Sequence, residues 1–255
     1  MVNRKKMKQK KILAENENYS NQGMRLNKFL SDSGICSRRQ ADVLIAEGKI
    51  FINGRKAEMG QRVFDSDQVT YNGKKVTLNE ELILIAFNKP RGIECTTDEN
   101  TKNNVIDYIN YGKKIFYVGR LDKDSHGLLL LTNDGNLANM IAKSVNNHEK
   151  EYIVRVNKKI NEDFLEKMRN GVPILDTITK KCKVTAVDNQ TFKIILTQGL
   201  NRQIRRMCEA LGYKVVDLKR LRVMNIKLGN LKEGAYRNVS KEEYDKLIND
   251  CKKKS

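Results

Sequence analysis

Apolar and polar positions along the chain separate into two kinds of run. Leu82–Phe87 and Leu128–Leu131 are continuous apolar stretches, the pattern of short strands buried on both faces. Glu151–Val156 alternates, placing Tyr152, Val154 and Val156 on one face of a half-buried strand. Lys114–Gly119, Lys183–Val187 and Phe192–Thr197 read as further strands, the last two as a pair. Helical spacing occupies Asn201–Leu211, where Ile204, Met207, Cys208 and Leu211 recur at i, i+3, i+4 and i+7 before Gly212. Asn161 caps a helix that Gly171 stops.

Punctuation supplies the rest. Leu26–Ser33 is a short helix ended by Gly34, and Ser37 with Gln40 forms a capping box for a second one that Gly48 ends. Ser240 with Glu243 opens the last helix the same way, and Cys251–Ser255 is expected to fray. Asn53-Gly54, Asn72-Gly73 and Asn133-Asp134-Gly135 are tight-turn signals. The chain therefore reads as α+β. A small α/β domain spans residues 24–80 and a larger one residues 82–250, with the boundary near residues 78–82; no internal repeat is visible.

Charge changes the picture from fold to partner. Lys and Arg number 49 against 31 Asp and Glu, a formal net charge of +18, which favours a polyanion such as nucleic acid. Six Lys or Arg fall in the first eleven positions with no acid among them, so residues 1–23 read as a disordered basic arm. No stretch matches a spanning helix or the apolar core of a secretory signal. Five cysteines without a Cys-x-x-Cys pair, and only two histidines, argue against structural zinc and a disulfide framework. The expectation is a cytoplasmic protein, away from membranes and monomeric, with RNA as partner.

The reactive candidates sit where these patterns meet. Asp122 lies in a polar loop between the strands at Lys114–Gly119 and Leu128–Leu131, held as a scaffold holds a reactive side chain. A calcium loop fails there: His126 and Asn133 replace required ligands, and strands flank the loop. On the helix from Asn201, Arg202 and Arg206 point away from the core, and Arg205 stands at the edge of the apolar stripe, about 100° from its centre. From that edge a guanidinium can reach a carboxylate. Arg25, Lys28, Arg38, Arg39 and Lys49 cluster on or beside the two N-terminal helices and suit phosphates. The chain has neither a triphosphate-binding Gly-x-x-x-x-Gly-Lys-Ser/Thr loop nor a dinucleotide Gly-x-Gly-x-x-Gly. What remains fits a cofactor-free reaction on a base.

Two resemblances sharpen this. Residues 24–80, with Ser37-Arg38-Arg39-Gln40-Ala41 and the Asn53-Gly54 turn, resemble the ribosomal-protein-S-four-type RNA-binding domain. Residues 82–240 resemble an RsuA-type ribosomal RNA pseudouridine synthase in four places. These are Lys89-Pro90-x-Gly92, the stretch Gly119-Arg120-Leu121-Asp122-x-x-Ser125-x-Gly127 running on to Asp134-Gly135, Lys150-Glu151-Tyr152, and Gly199–Met207. His148–Tyr152 and Thr179–Val184 look closest to the RluF branch, which modifies large-subunit ribosomal RNA.

The resemblance implies a mixed, mainly antiparallel catalytic sheet and isomerisation of a flipped uridine to pseudouridine without cofactor or metal. It implies Asp122 as nucleophile or base, Tyr152 against the uracil, and Arg205 beside Asp122. Arg120 would hold the place or backbone of the flipped nucleotide, and Lys89, Arg202 and Arg206 would meet phosphates. The target would be 23S ribosomal RNA, with transfer RNA as an alternative. Competing readings are a non-catalytic ribosome-assembly factor and a metal-dependent nuclease. For the nuclease, Asp122 and Asp124 are too few acidic ligands.

Overall fold

The computed structural model describes residues 22–78, 81–96, 98, 100–142 and 147–252. The basic arm therefore lies outside the described residues up to position 21, as do the last three residues. Contacts divide the chain into two units, residues 1–81 and 82–255.

The first unit runs β1 (Met24–Arg25), α1 (Leu26–Asp32), α2 (Arg38–Ala46), β2 (Ile50–Ile52), β3 (Arg55–Lys56), β4 (Arg62–Val63), β5 (Val69–Tyr71) and β6 (Lys74–Lys75). Both arms of the expected capping box form at α2. Ser37 Oγ accepts the Gln40 N–H at 3.2 Å, and Gln40 Oε1 accepts the Ser37 N–H at 2.9 Å. β3, β2, β5 and β6 make one antiparallel sheet, and β1 pairs with β4. Asn53-Gly54 and Asn72-Gly73 close its hairpins with positive φ at both residues of each pair, as a primed turn demands. Leu26, Leu30, Ala41, Ile45, Ile50 and Val69 fill a core of its own.

The second unit runs β7 (Leu84–Lys89), α3 (Val105–Ile109), β8 (Phe116–Val118), β9 (His126–Thr132), α4 (Gly135–Ala142), β10 (Lys150–Val156) and α5 (Glu162–Asn170). It continues through β11 (Pro173–Ile174), β12 (Thr177–Ile178), β13 (Lys183–Ala186), β14 (Thr191–Leu196), α6 (Gln203–Ala210), β15 (Val215–Val223), β16 (Ile226–Lys227), β17 (Tyr236–Asn238) and α7 (Lys241–Lys252). The main sheet orders β13-β14-β10-β15-β9-β7-β17, with β8 also on β9 and β16 on β15. All its pairings are antiparallel except β9 with β15, so the sheet is mixed and mainly antiparallel.

Strand alternation sorts the apolar run of β9 between two cores. Leu129 and Leu131 join Phe87, Val154, Phe164 and Met207 on one side. Leu128 and Leu130 join Ala86, Leu137, Ile141 and Leu247 on the other. At the start of β9 the parallel partner comes very close: a Cβ at Gly127 (φ +99°) would lie 2.4 Å from the Arg220 carbonyl oxygen. Only glycine fits there.

Three expectations are corrected or refined. The sharp turn at Asn133-Asp134-Gly135 leads straight into a helix. Asp134 Oδ1 accepts from the N–H groups of Asn136 (2.7 Å) and Leu137 (3.1 Å), so it caps α4. Cys251 does not fray; it is fully buried on α7 beside Met224. The helix of the Gly199–Met207 motif starts later than its periodicity suggests, at Gln203 rather than Asn201, because Arg202 takes a left-handed conformation (φ +50°).

Candidate active site

Asp122 is presented by the loop between β8 and β9, and that loop is tied down from three sides. Within it, the Ser125 N–H donates to the Asp122 carbonyl at 3.0 Å. From below, the segment after β7 braces it: the Gly92 N–H donates to the Lys123 carbonyl at 2.9 Å, and the Leu121 N–H points at Cys95 Sγ at 3.5 Å. From the sheet, Arg220 on β15 donates Nε to the Leu128 carbonyl at 2.6 Å and Nη1 to the Arg120 carbonyl at 3.4 Å. A carboxylate so held loses little motional freedom when substrate arrives.

Two arginines face it. Arg205 Nε lies 3.9 Å and Arg202 Nη1 3.7 Å from Asp122 Oδ2. Arg205 is the buried one of the two, with a side chain 14% exposed against 43% for Arg202. Its Nη2 donates to the Asp124 carbonyl at 3.1 Å and to Ser125 Oγ at 3.2 Å, which aims the guanidinium along the loop. Its Nε makes no hydrogen bond, so the contact with Asp122 is one of charge rather than a closed bidentate pair. Burial, and Arg202 beside it, push the Arg205 guanidinium below its ordinary pKa.

These groups rim a cleft of about 360 Å³ lined also by Gly119, Arg120, Lys150, Tyr152, Leu196, Gln198, Leu200, Ile204, Leu218 and Arg220. Tyr152 lies on its floor, with Arg220 directly across the β10–β15 ladder. Arg120 is exposed at its edge.

The sequence-derived site divides accordingly. Asp122, Tyr152, Arg205, Arg120 and Arg202 converge. Lys89 does not meet phosphate, which corrects the expectation for it. It is wholly buried, and its Nζ donates to the carbonyls of Pro90 (2.8 Å) and Ile93 (2.7 Å). Burial depresses its pKa, while Cys95 and Asp122 act against that. Its role is to shape the segment that braces the Asp122 loop.

Arg206 is turned back onto the start of its own helix, Nε to the Asn201 carbonyl at 3.1 Å and Nη2 to Asn201 Oδ1 at 3.3 Å. In the first unit, Arg25, Arg38 and Arg39 are exposed, whereas Lys28 is paired with Asp32 one turn on, and Lys49 with Glu47. Sequence reasoning missed Lys150 and Arg220 in the cleft. Lys150 was reachable, since it stands two residues from Tyr152 on an alternating strand; Arg220 gave no comparable signal.

The family model for RNA pseudouridylate synthase matches residues 83–210, and an S4 domain model matches residues 24–69. The chain belongs to the RNA pseudouridylate synthase family. The synthase is 51% identical over 221 residues to the dual-specificity RNA pseudouridine synthase RluF of Salmonella typhi, covering 86% of this chain and 76% of that one. Against the RluF of Escherichia coli (strain K12) the identity is 50% over 222 residues, with 86% and 77% covered. Ribosomal large subunit pseudouridine synthase B of Bacillus subtilis (strain 168) is 38% identical over 232 residues, with 88% and 95% covered. A solved structure described as a pseudouridylate synthase superposes with a TM-score of 0.65 at 30% identity, covering 88% of this chain and all of the other. The synthase is thus an RNA-modifying isomerase with an S4 domain ahead of its catalytic unit. Among its described residues no helix is long and apolar enough to cross a membrane.

Proposed function

We propose that the synthase converts a specific uridine of structured large-subunit ribosomal RNA to pseudouridine, with Asp122 as the reactive carboxylate. The observation that carries this is Asp122 set at a cleft between Arg202 and Arg205, above a tyrosine floor. A carboxylate facing a polyanion is counterproductive for mere binding. Flanked by two cations beside a base-sized cleft, it is placed to react.

In the reaction the C1′–N1 bond breaks, the uracil turns, and C5 bonds to C1′ as the C5 proton leaves and N1 is protonated. Atoms and oxidation level are conserved. A uridine in a stem reaches Asp122 by leaving its stack. Tyr152 packs against the uracil, its hydroxyl serving in removal of the C5 proton. Arg205 orients Asp122, and Arg120 and Arg202 at the rim meet the backbone of the displaced nucleotide. Arg25, Arg38 and Arg39 of the S4 domain anchor the surrounding RNA. The name of one relative as a ribosomal large subunit synthase supports ribosomal RNA first; transfer RNA is the alternative target. The synthase acts as a monomer in a reducing cytoplasm, a compartment that suits five cysteines of which none is in a disulfide.

The test is Asp122→Asn, nearly isosteric and uncharged. Pseudouridine formation on the mapped target should be abolished, with RNA affinity unchanged or slightly tighter. Asp124→Asn, an exposed neighbour, should retain activity. Full activity in Asp122→Asn refutes the assignment, and mapping pseudouridines in ribosomal and transfer RNA with and without the protein names the target.

A further inference from the structure

Two cations on the cleft floor have no part in the reaction as assigned to Asp122, Tyr152 and Arg205. Lys150 and Tyr152 are two residues apart on β10, so their side chains share a face, and Arg220 is the cross-strand partner of Tyr152. All three line the cleft.

Among the described residues neither cation is paired with a carboxylate. Lys150 Nζ has a 3.5 Å contact with the His148 carbonyl, and its nearest sequence carboxylates, Glu149 and Glu151, are both held by Arg222 at 3.0 and 2.9 Å. Arg220 is 2% exposed. Its Nε and Nη1 brace the Asp122 loop, but its Nη2 is buried without a hydrogen-bond partner. A buried donor left open is costly, so its persistence at the floor of a reactive cleft points to a ligand atom.

Resting on the reading of this cleft as the uridine site, we propose that Lys150 Nζ and Arg220 Nη2 seat the carbonyl oxygens of the uracil and stabilise the negative charge those oxygens gain during isomerisation. The chemistry requires such charge whichever role Asp122 takes. Addition of Asp122 to the base at C6 makes an enolate with charge on O4. Attack on C1′, or removal of a ribose proton, expels the uracil with the C1′–N1 electron pair, shared among N1, O2 and O4. Donors fixed where charge develops are the strongest catalytic device a preorganised site offers. Depth selects the base over a phosphate, because a phosphodiester is held by its neighbours at the exposed rim, where Arg120 and Arg202 stand.

Burial, reinforced by the positive charge of Arg220, pushes the Lys150 ammonium down to about 8. The other ionisable groups lining the cleft are Arg120, Asp122, Tyr152, Arg202 and Arg205. Lys150 is therefore cationic below that pH and neutral above it, and its contribution is lost as pH rises through about 8.

The experiment compares the full chain with Lys150→Met and Lys150→Arg in single-turnover assays on the mapped RNA, from mildly acidic pH upward, with affinities titrated at fixed salt. Lys150→Met should react about 100-fold more slowly at saturating RNA, with affinity nearly unchanged. The loss of wild-type rate above the Lys150 transition should be absent in both variants, while Lys150→Arg, charged throughout, recovers much of the rate. Placing 2-thiouridine or 4-thiouridine at the target, where sulfur accepts hydrogen bonds poorly, should slow the wild type more than Lys150→Met for at least one of the two. Equal thio effects in both proteins overturn the proposal. So does weakened affinity with an unchanged saturating rate, which is the signature of a phosphate contact. A wild type that forms no pseudouridine on any mapped RNA would instead sink the underlying assignment.

Discussion

Arg202 is a non-glycine residue held at φ +50°, immediately before the first residue of α6. An ordinary side chain there costs roughly 1 kcal/mol relative to glycine, and such strain persists where something else over-determines the conformation. Here the left-handed turn swings Arg202 out of the helical face expected for it and brings its guanidinium to 3.7 Å from Asp122. Arg202→Gly should therefore leave stability unchanged or raise it by up to about 1 kcal/mol, while lowering turnover. Urea denaturation alongside single-turnover assays checks both halves. A destabilised variant would show that the Arg202 contacts outweigh the strain. Arg205 differs in kind, because its side chain is anchored to the Asp124 carbonyl and Ser125 Oγ.

Helix α4 depends on a cap that its sequence disguises. Asp134 Oδ1 takes two N–H groups of the first turn. Asp134→Ala should cost about 1 kcal/mol of the catalytic unit's stability, measured by urea denaturation, with little effect on the reaction itself. The same residue shows how far sequence alone reaches. Asn-Asp-Gly suits a hairpin turn and a helix start equally, and only the packing of Leu137 and Ile141 against the sheet decides between them. Strand β10 was legible because Tyr152, Val154 and Val156 are buried in strict alternation. Strand β15 was not, because Asp217, Lys219, Arg220 and Arg222 interrupt its pattern. The structure gives those side chains partners far away in sequence, such as the Leu128 carbonyl for Arg220 Nε and Glu149 and Glu151 for Arg222. Lys89 misled for a similar reason: nothing local reveals that a lysine's ammonium will be enclosed by the carbonyls of Pro90 and Ile93. The positions of Asp122 in a loop and Arg205 at a stripe edge were legible as local facts, while the motifs of the family resemblance, not position, marked them as reactive candidates.

At the scale of the molecule, the proposed function assigns binding and chemistry to different units. The exposed Arg38 and Arg39 open α2 in the S4 domain, where the capping box already occupies two backbone groups and leaves the side chains to meet phosphate. Replacing both by alanine should weaken RNA binding and flatten the plot of log affinity against log salt by about 0.7–0.9 for each phosphate no longer neutralised. The rate at saturating RNA should stay close to wild type, because the Asp122 cleft is built wholly from the second unit. An equal salt slope would mean that these arginines are only solvated.

Four successive leucines carry no registration mark. Moving β9 by one residue against β7 swaps leucine for leucine at three of the six paired positions, so along the run itself hydrophobic burial barely penalises the slip. Alignment must be written at the ends of the run. Gly127 alone admits the Arg220 backbone, and Thr132 is buried with its hydroxyl on the Ile83 carbonyl at 2.6 Å. Refolding of Thr132→Val should accordingly show an added slow phase from misaligned chains, absent in wild type and visible by stopped-flow fluorescence of a tracer dye. Misaligned chains would carry Asp122 out of line with Arg205. Part of a refolded sample would then look folded and yet be inert, and active-site titration, rather than a melting curve, would count the difference.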